Sequence, residues 1–503
     1  MQPEEQKKPV RTNAETRAHE EKTGVPYSTG YGEPEPEFVG RQPNRYPDQS
    51  APDAHFVEQS DRWAPDIAEG QPHGRQESGG QQSQHASNHQ SAETTAMAHQ
   101  GGLSIELLQR LRKPSQSKIV LLVMDGLGGL PQRVGGKTEL ETANTPHLDE
   151  LATHGICGLQ QPVATGITSG SGPGHLALFG YEPLTYQIGR GVLSALGIDF
   201  DLQPQDVAAR GNFCTVDEEG LVTDRRAGRI SSEKGKELCA LLDEIELPGV
   251  ELFVRPVEEY RFLLVLRGAR LNAALTDTDP QRTGAEPLPP RATQVEAEPT
   301  ADFVRQFLEA AQSRLADRHP ANMVLLRGFA QRPDWPTISD AFGLHAAAIA
   351  AYPMYRGVAR LLGMEPLRTA EEPAAKIDLL TKRWQDFDFF FVHVKRTDSA
   401  GEDGDFDRKV ALIEEVDAQI PRLLDLKPDV VLVTGDHSTP AVLQAHSWHP
   451  VPVLLWSTHC RPDQVTSFGE RPCIHGALGP RFPAAELMPL ALANAQRLEK
   501  FGA

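Results

Sequence analysis

Residues 118–129, KIVLLVMDGLGG, decide the fold of this chain. Their apolar run, Ile119–Met124, is unbroken, which is typical of a strand buried on both faces, and it ends at Asp125 and a glycine-rich turn. The same order recurs at 388–398, DFFFVHVKRTD, and at 430–437, VVLVTGDH. Because helical patterns separate these runs, the sequence predicts an α/β fold with a mostly parallel sheet and helices on both faces.

Helix signals lie around the predicted strands. Asn144-Thr145-Pro146 followed by HLDELATHG predicts an N-cap, a proline in the first turn and a glycine stop. Apolar residues at helix spacing predict a helix over 407–424, although Pro421 makes its last turn doubtful. Residues 451–456 form a further apolar run, which predicts a fourth strand of the same sheet.

The chain divides into three predicted parts. Residues 1–115 are predicted to be a disordered polar tail with a short helix near its end, because they hold too little apolar surface to offset the entropy of ordering. Residues 116–188 and 337–503 are predicted to complete one discontinuous catalytic domain. Residues 189–336 are predicted to form a smaller inserted α+β domain.

Composition excludes several classes of protein. The 503 residues carry 50 Lys and Arg against 69 Asp and Glu, a formal net charge of −19, which argues against general nucleic-acid binding. No apolar run approaches the length of about 20 residues that spans a bilayer, so no membrane association is expected. The five scattered cysteines form no CxxC motif and favour reduced thiols in the cytoplasm. The oligomeric state is not predicted.

Acidic and imidazole side chains follow the predicted strands. Asp125, Asp398 and Asp436 end three strands, and His437 comes directly after the last of them. Since ligands of open α/β sheets bind at the carboxyl ends of the strands, and three carboxylates at one edge would repel each other, we expect a divalent cation there. Glu402, four residues after Asp398, and His446 are further candidate ligands.

Ser171 is the candidate nucleophile. It lies between glycines in ATGITSGSGPGHLALFG, directly before an apolar helical pattern. A hydroxyl at a helix N-terminus faces backbone N–H donors that favour an anion, and neighbouring metal ions make its alkoxide accessible at neutral pH. Without the metal cluster, a flexible turn would be the better interpretation of this segment.

Together these motifs resemble one known family. They resemble the archaeal-type, 2,3-bisphosphoglycerate-independent phosphoglycerate mutases of the alkaline phosphatase superfamily, and the resemblance runs from about residue 118 to the end of the chain. The motifs occur in the order of the family, and they read VLLVMDGLGG, ETANTPHLDELA, GSGPGHLALFGYEP, GRGVLSALG, DVAARGNFCTVD, TDRRAGRI, HVKRTDSAGEDGDFDRKVALIEEVD, VTGDHSTP and HSWHPVPVLLW.

The resemblance implies an alkaline-phosphatase-like fold and assigns roles to the candidate residues. It implies that Ser171 is transiently phosphorylated and that His175 lies beside the metal ligands or the phosphate. Two positions differ from the family, because Glu402 replaces a more usual His and GPGH follows Gly170-Ser171 where archaeal members more often have Asp-Thr-Ala-His. The implied metal sites are Asp125, Asp436 and His437 with Ser171, and Asp398, Glu402 and His446.

Arginines are the candidate substrate ligands. Arginine binds phosphate and carboxylate through two parallel hydrogen bonds, and phosphoglycerate carries both groups. Any one of these arginines alone could equally be a surface ion-pair residue. The candidates are Arg190, Arg210, Arg225, Arg226, Arg229 and Arg356.

The predicted activity is interconversion of 3-phosphoglycerate and 2-phosphoglycerate, in glycolysis and gluconeogenesis, through a phosphoserine at a two-metal site. Two divalent ions are expected, Mn²⁺ first, with Mg²⁺, Zn²⁺ or Co²⁺ as alternatives, and no bisphosphoglycerate requirement. The partner is thus a small anionic phosphorylated substrate. A related phosphatase or phosphonate hydrolase, or a non-catalytic homologue, is the alternative.

Overall fold

A computed structural model describes residues 104–502. The predicted polar tail therefore lies outside the described residues as far as residue 103. Its predicted short helix is present at Ile105–Leu111, where Ser104 caps the first turn and Ile105 and Leu108 are buried. This helix lies within residues 1–115, which the sequence assigned to the tail. Regular structure is therefore present before residue 116.

Thirteen strands form two sheets within residues 104–502. In chain order they are β1 Ile119–Met124, β2 Ile156–Gln161, β3 Val207–Val216, β4 Val222–Asp224, β5 Glu251–Glu258, β6 Arg261–Arg267, β7 Met323–Ala330, β8 Ala346–Ile349, β9 Glu365–Leu367, β10 Phe389–Val394, β11 Val430–Thr434, β12 Val451–Ser457 and β13 Gly479–Pro483.

The larger sheet has eight strands in the order β13-β2-β12-β11-β1-β10-β8-β9. Strand β1 lies between β10 and β11 and runs parallel to both, with Ile119 opposite Phe389 on one side and Val430 on the other. Only β12 runs against its two neighbours. The prediction of a mostly parallel α/β sheet is therefore confirmed, and the fourth predicted strand is its antiparallel member.

The smaller sheet is antiparallel and has five strands, all between residues 207 and 330. Strand β3 pairs with β4, β6 and β7, and β5 pairs with β6. The sequence motif DVAARGNFCTVD, which carried no strand prediction, contains the whole of β3. The division of the chain into a catalytic and an inserted domain remains a prediction.

Fifteen α-helices and three short 3-10 turns connect the strands of the described residues. The helices are α1 Ile105–Leu111, α2 Glu139–Thr142, α3 Pro146–Thr153, α4 Ser171–Leu178, α5 Arg190–Gly197, α6 Ser232–Asp243, α7 Glu298–Leu315, α8 Ile338–Phe342, α9 Pro353–Leu361, α10 Pro373–Arg383, α11 Arg396–Glu402, α12 Phe406–Asp417, α13 Ile420–Leu424, α14 Glu470–Cys473 and α15 Leu487–Asn494; the 3-10 turns are Ala227–Arg229, Val295–Ala297 and Ala484–Glu486.

Apolar side chains cover both faces of the larger sheet. All six residues of β1 are buried, alternating between two separate core clusters on opposite faces. The sequence prediction for this strand is thus confirmed. The predicted helix over 407–424 instead splits into α12 and α13, because Pro421 can occupy the first turn of a helix but not its interior.

Candidate metal centre and nucleophile

The three predicted acidic residues meet at one edge of the larger sheet. Asp125 follows β1, Asp436 follows β11, and Asp398 lies in α11, which follows β10. Because β1 is central and parallel to the other two strands, their carboxyl ends lie side by side. All three side chains are buried, although a carboxylate ordinarily remains in water.

The first candidate metal group consists of Asp125, Asp436 and His437. Each of these offers one ligand atom, and the three atoms lie within 4.8 Å of one another. His437 Nε2 lies 3.4 Å from Asp125 Oδ1 and 3.2 Å from Asp436 Oδ2. The backbone N–H of Gly126 donates to Asp436 Oδ1 at 3.1 Å, which fixes that carboxylate and leaves its other oxygen facing the imidazole.

The second candidate group consists of Asp398, His437 and His446. The rings of His437 and His446 stack with their centroids 3.7 Å apart, and His446 Nε2 lies 3.6 Å from Asp398 Oδ1. Glu402 Oε1 is 3.7 Å from the same His446 nitrogen, but its side chain is 52% exposed. Glu402 thus lies at the exposed edge of the second group. His437 belongs to both groups.

The donors of both groups suit a divalent cation. Asp125 Oδ1 and Asp436 Oδ2 are buried and accept no hydrogen bond from any described residue. A buried carboxylate oxygen without a partner is costly, and a cation removes that cost. Imidazole nitrogens with carboxylate oxygens are ligands that Mn²⁺, Zn²⁺ and Co²⁺ accept. These residues therefore fit the metal ions that the sequence predicted.

Ser171 lies beside the first group. It is the first residue of α4, as its sequence pattern predicted, and its Oγ lies 3.2 Å from His437 Nε2. Gly174 of the same helix packs so closely against Asp436 that a Cβ there would collide with the Asp436 carbonyl oxygen. The glycine in the unusual GPGH segment is therefore required to bring α4, and with it Ser171, against the metal ligands.

His175 lies on α4, one turn after Ser171. Its Nδ1 is 2.8 Å from the Ser171 carbonyl oxygen and 3.2 Å from Asp436 Oδ2. Burial would lower the pKa of His175, but the Asp436 carboxylate outweighs burial and raises it. His175 is thus a neighbour of a candidate ligand, and the role that the resemblance implied for it remains a prediction.

Sequence reasoning missed three residues of this site. His393 Nε2 lies 2.9 Å from Asp125 Oδ2, and Lys395 Nζ lies 3.6 Å from the same oxygen and also contacts Asp398. The ring centroid of Tyr355 lies 3.9 Å from that of His393, with the two rings tilted by 36°. The sequence could have indicated His393 and Lys395, because a histidine and a lysine in the buried run FFFVHVK need polar partners.

These neighbours set the charge of the site. Burial alone would raise the pKa of Asp125, but the hydrogen bond with His393 and the charge of Lys395 hold it well below its usual value. Burial lowers the pKa of His437, which favours the neutral imidazole that can bind a metal. Burial and then Asp398 raise the pKa of Glu402. The lowered pKa of Asp125 keeps this carboxylate ionised at neutral pH.

Four arginines cluster on the smaller sheet and the helix beside it. Arg210 on β3 is the cross-strand partner of Arg327 on β7. Arg190 and Arg261 are close enough to affect the pKa of Arg210. Burial and then these cationic neighbours lower the pKa of Arg210 to about 10. Its guanidinium donates to the neutral hydroxyl of Ser194 at 2.9 Å. A cation surrounded by cations favours a bound anion.

Asp279, in the stretch TDTDP at 276–280, contacts two arginines. It is buried and accepts two hydrogen bonds from Arg225, at 2.9 and 2.7 Å, and its Oδ2 lies 3.5 Å from Arg327 Nε. Asp277 accepts from the backbone N–H of Gly328 at 2.7 Å and lies 3.8 Å from Arg327 Nε. The two acids thus hold one predicted arginine and one that sequence reasoning missed.

The remaining predicted arginines have other surroundings. Arg229 is exposed and lies 3.4 Å from Glu259. Arg356 is buried and donates to Asp199 at 3.0 Å and to the carbonyl oxygen of Ala351. Among the described residues, Arg226 forms hydrogen bonds only through its backbone, with its N–H donating to Asp224 and its carbonyl oxygen accepting from the N–H of Arg229. None of these contacts joins the three arginines to the cluster around Arg210, and their predicted substrate role remains a prediction.

Helix α5 connects the arginines with the nucleophile. It begins at Arg190, and it packs against β3, β6 and β7 of the smaller sheet and against α9 beside the larger sheet. Its Leu193 side chain would lie 3.5 Å from a Cβ at Gly172, the residue after Ser171. The same helix therefore contacts the arginine-bearing strands and the start of α4.

The sequence of the chain also matches known proteins. Residues 152–322 match the family model described as 2,3-bisphosphoglycerate-independent phosphoglycerate mutase. A probable mutase of this kind from Aquifex aeolicus is 48% identical over 409 residues, which are 79% of this chain and 100% of the relative. One from Thermus thermophilus is 49% identical over 402 residues, with 79% and 99% covered.

The chain belongs to the 2,3-bisphosphoglycerate-independent phosphoglycerate mutase family. The family resemblance is therefore confirmed, and with it the assignment to a family of isomerases. Solved structures agree: a Pyrococcus horikoshii protein (TM-score 0.65, 30% identity) covers 78% of this chain and 100% of its own. The cofactor-independent phosphoglycerate mutase of Thermoplasma acidophilum (TM-score 0.61, 29% identity) covers 75% and 100%.

This member of the mutase family offers two groups of side chains for metal ions, as expected, but the identity of the ion remains a prediction. Within residues 104–502, each helix is too short or too polar to cross a bilayer.

Proposed function

We propose that this protein interconverts 3-phosphoglycerate and 2-phosphoglycerate through a phosphoserine at Ser171. The observation that carries the proposal is the position of Ser171 Oγ, at the start of α4 and 3.2 Å from His437, which belongs to both candidate metal groups. In a chain of the mutase family, a nucleophile at this position can accept the phosphoryl group and return it to the substrate. Bisphosphoglycerate is then unnecessary, because the serine itself carries the phosphoryl group.

The reaction proceeds in two transfers. The Ser171 hydroxyl loses its proton, and its Oγ bonds to phosphorus as the bond to the C3 oxygen of the substrate breaks. That C3 oxygen takes up a proton to give glycerate. The glycerate reorients, its C2 hydroxyl loses a proton and bonds to phosphorus, and the bond to Ser171 Oγ breaks as the serine oxygen takes up a proton. The backbone N–H groups at the start of α4 face the phosphoryl oxygens and stabilise their charge.

The residues of each metal group have defined tasks. We propose that Asp125, Asp436 and His437 hold one divalent ion and that Asp398, His446 and Glu402 hold the other. Mn²⁺ is the expected ion, with Mg²⁺, Zn²⁺ or Co²⁺ as alternatives. Such ions, when bound, would lower the pKa of the serine hydroxyl and neutralise the charge of the transferred phosphoryl group. His437 stays neutral through burial, which keeps its nitrogen available as a ligand.

Lys395 and the arginine cluster would bind the charges of the substrate. The charges of Asp125 and Asp398 outweigh burial and raise the pKa of Lys395, so its ammonium stays protonated beside the transferred phosphoryl group. Arg210 and its neighbours bind the carboxylate and retain glycerate between the two transfers. The segment 189–336 closes over the site and excludes water, which would otherwise hydrolyse the phosphoserine. The cysteines, all free thiols in the described residues, support a cytoplasmic enzyme.

An enolase-coupled assay tests this function. The full-length protein with 3-phosphoglycerate and Mn²⁺, without bisphosphoglycerate, is expected to form 2-phosphoglycerate, and prior chelation is expected to abolish the activity. Phosphate release is measured in parallel. Release of phosphate without 2-phosphoglycerate would replace the mutase with a hydrolase of the same superfamily, and neither product with any divalent ion would favour a non-catalytic homologue.

The Arg210→Met variant tests the role of the arginine cluster. We expect KM for 3-phosphoglycerate to rise by about 10- to 100-fold, since one charge-assisted hydrogen bond to the substrate contributes about 1.5–3 kcal/mol. Steady-state kinetics at saturating Mn²⁺ measures the change. Arg267→Met is the control, because two hydrogen bonds to Asp206 already occupy that guanidinium. Equal KM changes in both variants would contradict the assignment.

A further inference from the structure

A buried lysine lies beneath the candidate metal groups. Lys409, on α12, has a fully buried side chain. Its ammonium donates three hydrogen bonds, all to backbone carbonyl oxygens, at 2.9 Å to Gly126, 3.2 Å to Gly128 and 2.8 Å to Thr439. Three acceptors satisfy the three protons of the ammonium, so the group makes every hydrogen bond that it can. The proposed reaction uses none of these contacts.

The three carbonyls belong to the two loops that carry candidate ligands. The first loop, residues 125–130, begins with Asp125, and the second loop, residues 435–441, contains Asp436 and His437. The loops also bond to each other, because the N–H of Thr439 lies 3.2 Å from the Gly126 oxygen and 3.0 Å from the Gly128 oxygen. Lys409 therefore joins the two loops at the point where their backbones meet.

The partner of Lys409 connects the same two loops. Glu139 is buried, and its Oε1 lies 3.9 Å from Lys409 Nζ. Its carboxylate accepts from the N–H of Leu130 at 3.1 Å, in the first loop, and from the N–H of Ala441 at 2.7 Å, in the second. Both members of this buried pair thus direct their hydrogen bonds to the two loops. Neutralising each other's charge would not by itself require these hydrogen bonds.

Thr439 links this pair to the ligand side chains. Its Oγ1 donates to Asp398 Oδ1 at 2.6 Å and lies 3.0 Å from His437 Nδ1. The lysine fixes the backbone of Thr439, and the hydroxyl of Thr439 fixes two ligands, one from each side of β1. Asp398, which lies on neither loop, is therefore also connected to the buried pair.

We infer that Lys409, with Glu139, is a positioning residue for both metal groups. It holds the loops of Asp125 and of Asp436 and His437 at the separation that the ions require, and through Thr439 it orients Asp398. The inference rests on the proposed function, because it takes both groups to be metal sites. Groups outside the ligand set that fix its geometry typically affect metal affinity by 10- to 100-fold.

Mn²⁺ binding to the full-length, chelator-treated protein tests the inference. Titration calorimetry gives the Kd for Mn²⁺ alone, and thermal unfolding without metal gives the stability. We expect Lys409→Met to raise the Kd by about 10-fold or more. Lys376→Met is the matched control, because Lys376 on α10 is equally buried and donates to the carbonyl oxygens of Ala370 and Glu371 at 2.7 and 2.8 Å. It is expected to lower the unfolding temperature but to bind Mn²⁺ as the parent does.

A second variant covers a failure to fold. Lys409→Met leaves the Glu139 carboxylate buried without a cation, whereas Lys409→Met with Glu139→Gln removes both charges. The inference is overturned if either variant is folded and binds Mn²⁺ as tightly as the parent, or if Lys376→Met weakens binding equally. A parent protein that binds no Mn²⁺, Mg²⁺, Zn²⁺ or Co²⁺ would instead overturn the proposed metal-dependent function, on which this inference rests.

Discussion

Ser171→Ala is expected to lower kcat for 2-phosphoglycerate formation by at least about 10³-fold, because it removes the only atom proposed to carry the phosphoryl group between the two hydroxyls. Unlike a change in a binding residue, this loss leaves no alternative path for the transfer. Enolase-coupled kinetics measures the loss. Mass spectrometry of protein quenched during turnover is expected to find phosphate on Ser171 of the parent and none on the variant.

Two controls separate the nucleophile from the rest of the site. Thr168→Ala removes an exposed hydroxyl from the same loop and is expected to keep parent activity. Ser171→Ala itself is expected to bind Mn²⁺, since Asp125, Asp436 and His437 remain. A Ser171→Ala variant with a tenth of the parent activity, or a phosphate found on another residue, would exclude the phosphoserine path.

Asp436→Asn is expected to weaken Mn²⁺ binding by at least about 100-fold and to lower activity at limiting Mn²⁺ in parallel. The substitution keeps the shape of the side chain, and an oxygen can still accept from Gly126. It replaces an unpartnered carboxylate oxygen by an NH₂ group that faces His437 and cannot bind a cation. Calorimetry with Mn²⁺, followed by kinetics across Mn²⁺ concentrations, measures both effects.

Asp417→Asn is the matched control for that variant. Asp417 is also buried, and it accepts hydrogen bonds from the N–H groups of Leu148 and His147, away from the candidate ligands. We expect this variant to alter stability but to leave the Mn²⁺ affinity unchanged. If Asp436→Asn bound Mn²⁺ as the parent does, Asp436 would not be a ligand.

Strand order explains how far sequence reasoning located the site. Apolar runs that end in an acid are local patterns, and the parallel arrangement brings the ends of neighbouring strands together, so Asp125, Asp398 and Asp436 could be expected to meet. The place of His437 between both groups could not be expected, because it depends on how the loop of His446 folds back until the two rings stack. That geometry arises from tertiary contacts.

Sheet register explains what was missed among the arginines. Arg327 lies in the apolar strand β7, and its sequence gives no sign that it faces Arg210. Only the pairing of β3 with β7, more than a hundred residues apart, brings the two guanidinium groups together. Likewise, Lys409 fits the helical pattern of α12 on sequence grounds, and only the packing of that helix beneath the two loops gives it three carbonyl partners.

The central position of β1 also determines when the protein can fold during synthesis. Its partners begin at residues 389 and 430, so the ribosome makes about 265 further residues before the first neighbour of β1 begins and about 305 before the second begins. Until then the wholly apolar strand β1 has two unpaired edges. Such segments promote the aggregation of nascent chains. The first metal group is not complete before residue 437 has left the exit tunnel, and the second is not complete before residue 446 has done so. We therefore expect the nascent chain to depend on chaperones, and its chemistry to begin only after the ligand-bearing strands have been made and have paired.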